Sequence, residues 1–199
     1  KIYRRYTLNH NYFSNIDSPE KGYWLGFIFA DGCVSTYGSL RIQLQSKDID
    51  ILNRLELSLG YNGPIRQRII KDKTYLGLII WSTQIHKDLT KCGITYNKTQ
   101  NPLIPQFPLL FFPHFLRGLI DGDGTIFHKT YPNKTITTVH ILVHKNLVNF
   151  ITENLKIYLN DFTYCISNHW RTEYIKTINI CGNKKCLQLL NFLYKDSTI

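Results

Sequence analysis

The 199-residue chain contains no methionine, the first position included, as expected of a chain trimmed at its start. It also has no apolar run near the roughly 20 residues that a membrane-crossing helix needs. The longest candidate, around residues 109–112, is short and bracketed by prolines. No membrane partner is expected on that ground, and the first residues show no signal-peptide pattern. Cysteine is present without order. Cys33, Cys92, Cys165, Cys181 and Cys186 form neither a C-x-x-C pair nor a zinc spacing with histidine. Such a set reads as free thiols, so the expected location is intracellular and reducing: the cytoplasm of a bacterium or phage host, or an organelle. Acidic residues are scarce, 14 against 24 lysines and arginines, leaving a net charge of +10. That excess favours a polyanionic partner, nucleic acid first and an acidic membrane surface second. A hydrophobic share of 43 % excludes a disordered tail, and the length suits one large domain or two small subdomains sharing a core.

What is present is a repeat. Residues 24–32 read WLGFIFADG and residues 116–124 read LRGLIDGDG. An alternating stretch follows each motif, at residues 40–45 and 139–143. Next comes an apolar-periodic run, at 49–59 and 147–159. A second strand-like stretch (79–82 and 178–181) then leads into a short amphipathic one (86–89 and 187–193). Each half therefore reads helix, strands, helix, strands, helix. The expected divisions are a first half at 1–98, a connector at 99–113 and a second half at 114–199. Pro102, Pro105, Pro108 and Pro113 make that connector semi-rigid and extended. Two copies on one chain predict a pseudo-two-fold monomer.

The motif stretches carry the chemistry. Ser18-Pro19-Glu20 suits a helix start, and Pro113 can take the first helical position of the second. Both motif helices end in Asp-Gly, with Gly32 and Gly124 suited to a left-handed residue just past the helix. Helices this apolar must be buried on most sides. Gly26 and Gly118, at equivalent places, would let them pack backbone to backbone and carry Asp31 and Asp123 to one end. Two carboxylates brought to the negative ends of two helix dipoles repel each other unless a cation joins them. Magnesium, which takes oxygen ligands and keeps several waters, suits such a pair. A single Asp-Gly is also an ordinary helix stop; two copies on matched helices weaken that reading.

The two segments resemble the LAGLIDADG motifs of the homing endonucleases, LRGLIDGDG closely and WLGFIFADG more loosely, and the likeness spans nearly the whole chain. It implies an α+β fold of two αββαββα halves with saddle-like antiparallel sheets and the motif helices at their interface. It implies a magnesium-dependent endonuclease cutting both strands of a long duplex DNA site, with Mn2+ or Ca2+ able to take the magnesium position. The metal ligands would be Asp31 and Asp123 with the carbonyls of Ala30 and Gly122. Asp121 has no acidic counterpart, since Phe29 stands at the equivalent place, and so reads as a structural or supporting residue. Residues 96–99 (YNKT) and 193–196 (LYKD) resemble the elements that carry the family's basic active-site residue, giving Lys98 and Lys195. Either can also be an ordinary surface lysine. Two other functions stay open within the resemblance: an RNA-binding intron maturase and a DNA-binding regulator that does not cleave.

Strand patterns suggest where DNA would be read. Leu40, Ile42 and Leu44 alternate with Arg41, Gln43 and Gln45, so one set faces a core and the other faces outward. Arg66, Gln67 and Arg68 offer the same chemistry in a neighbouring strand. Arginine and glutamine pair with guanine and adenine edges in the major groove, although a half-solvated sheet also carries polar residues outside. Residues 71–73 suit a solvated hairpin tip. In the second half the alternation is blurred; His140, Trp170, Arg171 and Lys176 are the candidate contacts. The basic and aromatic start, Lys1 to Tyr6, suits either a phosphate contact or a frayed end.

Overall fold

The computed structural model describes residues 5–169 and 172–195. Lys1 and Arg4 of the basic start, and the candidate contacts Trp170 and Arg171, lie outside them. The first half runs α1 (Pro19–Asp31), β1 (Gly32–Val34), β2 (Ser39–Gln45), α2 (Ile49–Leu59), β3 (Arg66–Ile70), β4 (Lys73–Trp81) and α3 (Thr83–Lys91). The second runs α4 (Phe112–Asp123), β5 (Gly124–Tyr131), β6 (Lys134–His144), α5 (Val148–Tyr158), β7 (Cys165–His169), β8 (Thr172–Cys181) and α6 (Asn183–Tyr194). The order is αββαββα twice, as the repeat predicts. Each half builds a four-stranded antiparallel sheet, ordered β1-β2-β4-β3 and β5-β6-β8-β7.

Local chemistry accounts for most boundaries. Ser18 is extended at the head of α1, and its hydroxyl accepts the Lys21 N–H at 3.3 Å. Lys71 and Asp72 both have positive φ, 47° and 60°, and make the two-residue β3–β4 turn expected at that tip. The two helix ends differ from expectation. Gly32 and Gly124 are extended, with φ of −79° and −92°, and not left-handed. Glycine is needed there for room: a Cβ on Gly32 would stand 2.6 Å from the Ile28 carbonyl oxygen, and one on Gly124 2.5 Å from that of Ile120. The chain can therefore leave each helix directly as a strand. Pro113 takes the second position of α4 behind Phe112, after a short 3-10 turn at Leu109–Phe111. The last part of the 99–113 stretch is thus already helical.

The core is centred on α1 and α4. Every residue of α1 from Gly22 to Phe29 is buried, as is every residue of α4 from His114 to Ile120. The two helices touch through backbone. A Cβ on Gly26 would overlap the Phe115 carbonyl oxygen, and one on Gly118 would overlap that of Tyr23. Each sheet buries one face beneath its helices: Leu40, Ile42, Leu78 and Ile80 in the first, Val139, Ile141, Ile178 and Ile180 in the second. Trp24 ties α1 to α2, its indole N–H donating to the Ser58 hydroxyl at 2.9 Å. Gly26→Ala should therefore cost about 3 kcal/mol in urea unfolding, because the neighbour it meets is backbone and cannot rotate away. Gly60→Ala is the control. That residue has φ of 56° with nothing near its would-be Cβ, so only about 1 kcal/mol of backbone strain is expected.

Candidate active site and nucleic-acid interface

Glycine packing carries the two helix ends side by side. A Cβ on Gly122 would meet the Ala30 side chain and stand 3.2 Å from Asp31 Oδ2. Asp31 is half-buried, whereas Asp123 keeps contact with solvent. Burial, the charge of Asp123 and, more weakly, that of Asp48 push the Asp31 carboxyl up to about 6, against the opposing pull of Lys98. Burial also raises Asp123, again opposed by Lys98. Lys98 is lowered by burial while both aspartates and Cys33 draw it back. One lysine thus serves both carboxylates.

A tight turn presents that lysine. Asn97 is left-handed, with φ of 60°, a conformation asparagine tolerates. Its carbonyl accepts the N–H groups of Gln100 and Asn101 at 2.9 and 3.2 Å. The Lys98 ammonium donates to the Ala30 carbonyl at 2.8 Å. Lys195 is placed differently. It stands exposed just past α6, and Lys98 is the cation that both aspartates feel. Asp121 turns away from the pair. Burial raises its carboxyl, against hydrogen bonds from the Tyr23 and Tyr194 hydroxyls, the latter at 3.5 Å.

Two residues escaped the sequence reading. Arg117 is fully buried, its guanidinium 4.9 Å from the Tyr23 ring and 5.5 Å from the Tyr194 ring, and its nitrogens have no hydrogen-bond partner. Cation–π attraction and the nearby charge of Asp121 hold it there. It is the one basic residue in the motif, a faint signal in the sequence. His144 lines a cavity of about 220 Å³ beside the carboxylates, shared with Lys98, Asp123, Phe29 and Leu142. Its Nδ1 accepts the Asn146 N–H at 3.2 Å, and the Gln100 backbone bears on the ring.

The donor set at the helix ends is all oxygen: two carboxylates and the carbonyls of Ala30 and Gly122. Among the described residues no group of three or more histidines, cysteines or acids could hold a metal. So sparse a set fits a hard divalent ion that keeps waters and borrows ligands from phosphate, and it does not fit zinc. The Ala30 carbonyl, although bonded to Lys98, retains a second lone pair.

The sheet registers sort the candidate contacts. Arg41, Gln43 and Gln45 stand outward and exposed, opposite Ile79, Gly77 and Tyr75 of β4. Arg66 and Arg68 pair with Gly77 and Tyr75 from the other side and share that outward face. Gln67 does not. It pairs with Leu76, which also faces Leu44, so it belongs to the face turned towards the helices. In the second sheet His140 faces outward between Thr125 and Asn179. Lys176 pairs with buried Val143 and donates to Asn168 Oδ1 at 2.6 Å, so it too lies on the helix side.

No family model and no curated protein matches the sequence. Solved structures do match the fold. The meganuclease I-SmaMI, bound to an uncleaved DNA target in the presence of calcium ions, is 16 % identical, with 92 % of this chain and 85 % of that chain covered and a TM-score of 0.60. The LAGLIDADG meganuclease I-AabMI, bound to uncleaved DNA, is 14 % identical over 89 % and 83 %, with a TM-score of 0.58. The LAGLIDADG homing endonuclease I-LtrWI, bound to target DNA, is 13 % identical over 96 % and 85 %, also at 0.58. The chain therefore has the fold of the two-motif LAGLIDADG homing endonucleases. No helix among the described residues is long and apolar enough to cross a membrane.

The raised Asp31 carboxyl has a thermodynamic consequence. Its folded-state value, about 6, lies above the ordinary 3.8. The fold thus favours the protonated form; that contribution is full below about pH 4 and is lost as the pH rises through about 6. In metal-free solution at pH 7, Asp31→Asn should gain about 1 kcal/mol, allowing for solvent screening of a half-exposed group. Melting in EDTA should read about 2–4 °C higher than wild type, and the difference should shrink at pH 5. A lower melting temperature at pH 7 would mean the ionised carboxylate is stabilising.

Proposed function

We propose that this chain is a site-specific homing endonuclease that makes a double-strand break in a long DNA target by magnesium-dependent phosphodiester hydrolysis. The observation that carries the reading is the meeting of Asp31, Asp123 and Lys98 at the ends of two glycine-packed helices, between two sheets with exposed outer faces. In this reading residues 1–98 and 114–199 each serve one half-site, and 99–113 joins them. The free cysteines accord with a reducing intracellular location, which belongs to the same proposal.

A divalent cation at the helix ends would polarise the phosphodiester and lower the pKa of an attacking water. The rest falls to the chain. Asp31 and Asp123 bind through their carboxylates, which burial and mutual repulsion have left short of counter-charge. The Ala30 and Gly122 carbonyls lie beside them. Lys98, bonded to the Ala30 carbonyl, feels both carboxylates; burial loosens its proton, and its charge can offset that building on the scissile phosphate. Lys195, exposed past α6, is the sequence pattern's candidate for offsetting phosphate charge at the second half-site. Arg41, Gln43, Gln45, Arg66 and Arg68, with His140 across the saddle, face the duplex.

Asp31→Asn and Asp123→Asn should each abolish double-strand cleavage, a loss of several kcal/mol in transition-state stabilisation, while gel-shift affinity in Ca2+ stays within about threefold. Full cleavage by either variant would overturn the assignment. Maturase or regulator function would show as RNA or DNA binding without divalent-dependent cutting by the wild type. Sedimentation of the DNA complex should give one chain per duplex, since both carboxylates reside on one chain; two chains would contradict the repeat.

A further inference from the structure

The two outward sheet faces are chemically unequal. On the first, Arg41, Arg66 and Arg68 are exposed, and none makes an ion pair within the described residues. Gly77, which faces both Gln43 and Arg66, carries no side chain. Its absence leaves a hollow of about 300 Å³ walled by those three arginines and Gln43. A planar guanidinium with free forked donors matches the two acceptors of a guanine edge, and a carboxamide matches adenine.

The second face has the same strand order and, among the described residues, no outward arginine. The position opposite Asn179, where the first sheet has Arg41 opposite Ile79, belongs to His140. The position of Gln43 belongs to Leu142, paired with Thr177. Phe127 stands outward beside Thr138, its ring edge-on to His140 at 4.8 Å. Asn179 spends its amide donors within the sheet, on the Cys165 and Thr177 carbonyls and the Ser167 hydroxyl. Among the described residues, the charges on this face, Lys129 and Lys134, stand towards the hairpin tip around Tyr131. Lysines there suit phosphates and carry no base information.

Resting on the endonuclease reading above, we infer that the DNA target is lopsided: the half-site under the first sheet carries guanines read by Arg41, Arg66 and Arg68, and the half-site under the second is A·T-rich, its thymine methyl groups packed by Phe127, Leu142 and Thr125. The major-groove edge of thymine offers one acceptor and a methyl group, which needs apolar contact and no forked donor. A G·C pair there would meet no free arginine among the described residues.

A binding selection from a randomised duplex library in Ca2+, which does not require cleavage, tests this. Repeating it with Arg41→Ala and Arg68→Ala marks which base positions lie under the first sheet. The expected result is guanine at two or more of those positions and A·T at most positions of the other half-site. Replacing the second half-site's thymines with deoxyuridine should weaken wild-type binding about fourfold for each methyl contacted, as burial of one such group implies; the same replacement in the first half-site should change it little. Equal guanine use in both halves, a silent deoxyuridine exchange, or no enriched duplex would each overturn the inference. A selected duplex that is lopsided yet uncut in Mg2+ would sink the endonuclease reading and leave this one standing.

Discussion

The contact of α1 with α4 through bare backbone is the constraint on which the rest depends. Gly26 and Gly118 let each helix lie against the other's carbonyl groups, with no side chain between them. That closeness fixes the separation of the two helix ends and so of Asp31 and Asp123. Aromatic rings then wedge the pair from outside: Phe29 meets Phe115 edge-on at 5.8 Å, and Phe107 of the connector stacks on Phe115 at 4.7 Å. The connector is thereby pinned to the core it joins, and each sheet hangs from a helix whose position is already set.

Such a design places negative charge where it is least welcome. Two carboxylates sit at the negative ends of two dipoles, partly shielded from water. The fold answers with one lysine, reached from a left-handed asparagine turn, and that answer is incomplete, as the raised Asp31 and Asp123 carboxyls show. Burial is the larger cause of that rise, and a bound cation would relieve it. Nearer the start of α4, Arg117 presents the opposite problem, a cation without hydrogen bonds, met by two tyrosine rings and the charge of Asp121. Tyr23 and Tyr194 also hold Asp121, so α6 is fastened to the same helix that carries Asp123.

How much of this could be read beforehand depended on how clean the local pattern was. The motif helices were legible because a long apolar stretch closed by Asp-Gly has few other meanings, and Leu40, Ile42 and Leu44 gave β2 its faces outright. Gln67, between Arg66 and Arg68 in an extended strand, has to point the other way by the same alternation. Lys176 was harder. The second sheet's alternation is blurred by neighbouring apolar residues, and side-chain direction there follows from register with β6, which only tertiary structure supplies. The glycines after each motif were placed correctly for the wrong reason, since crowding by Ile28 and Ile120 demands them where a left-handed turn does not. Arg117 and His144 gave almost no signal, because a residue's burial against distant rings or a cavity leaves no local mark.

The interlocking of α1 with α4 also has a temporal side. The first helix leaves the ribosome with an apolar surface on nearly every side, and the helix that covers one of those sides is encoded about eighty residues later. At bacterial and eukaryotic elongation rates that interval is about 4–16 s. Until it ends, the first half can close its own sheet and outer helices but not the face built for its twin. The nascent chain therefore carries an uncovered greasy stripe through much of its own translation, a window in which chaperones or unwanted neighbours can reach it first.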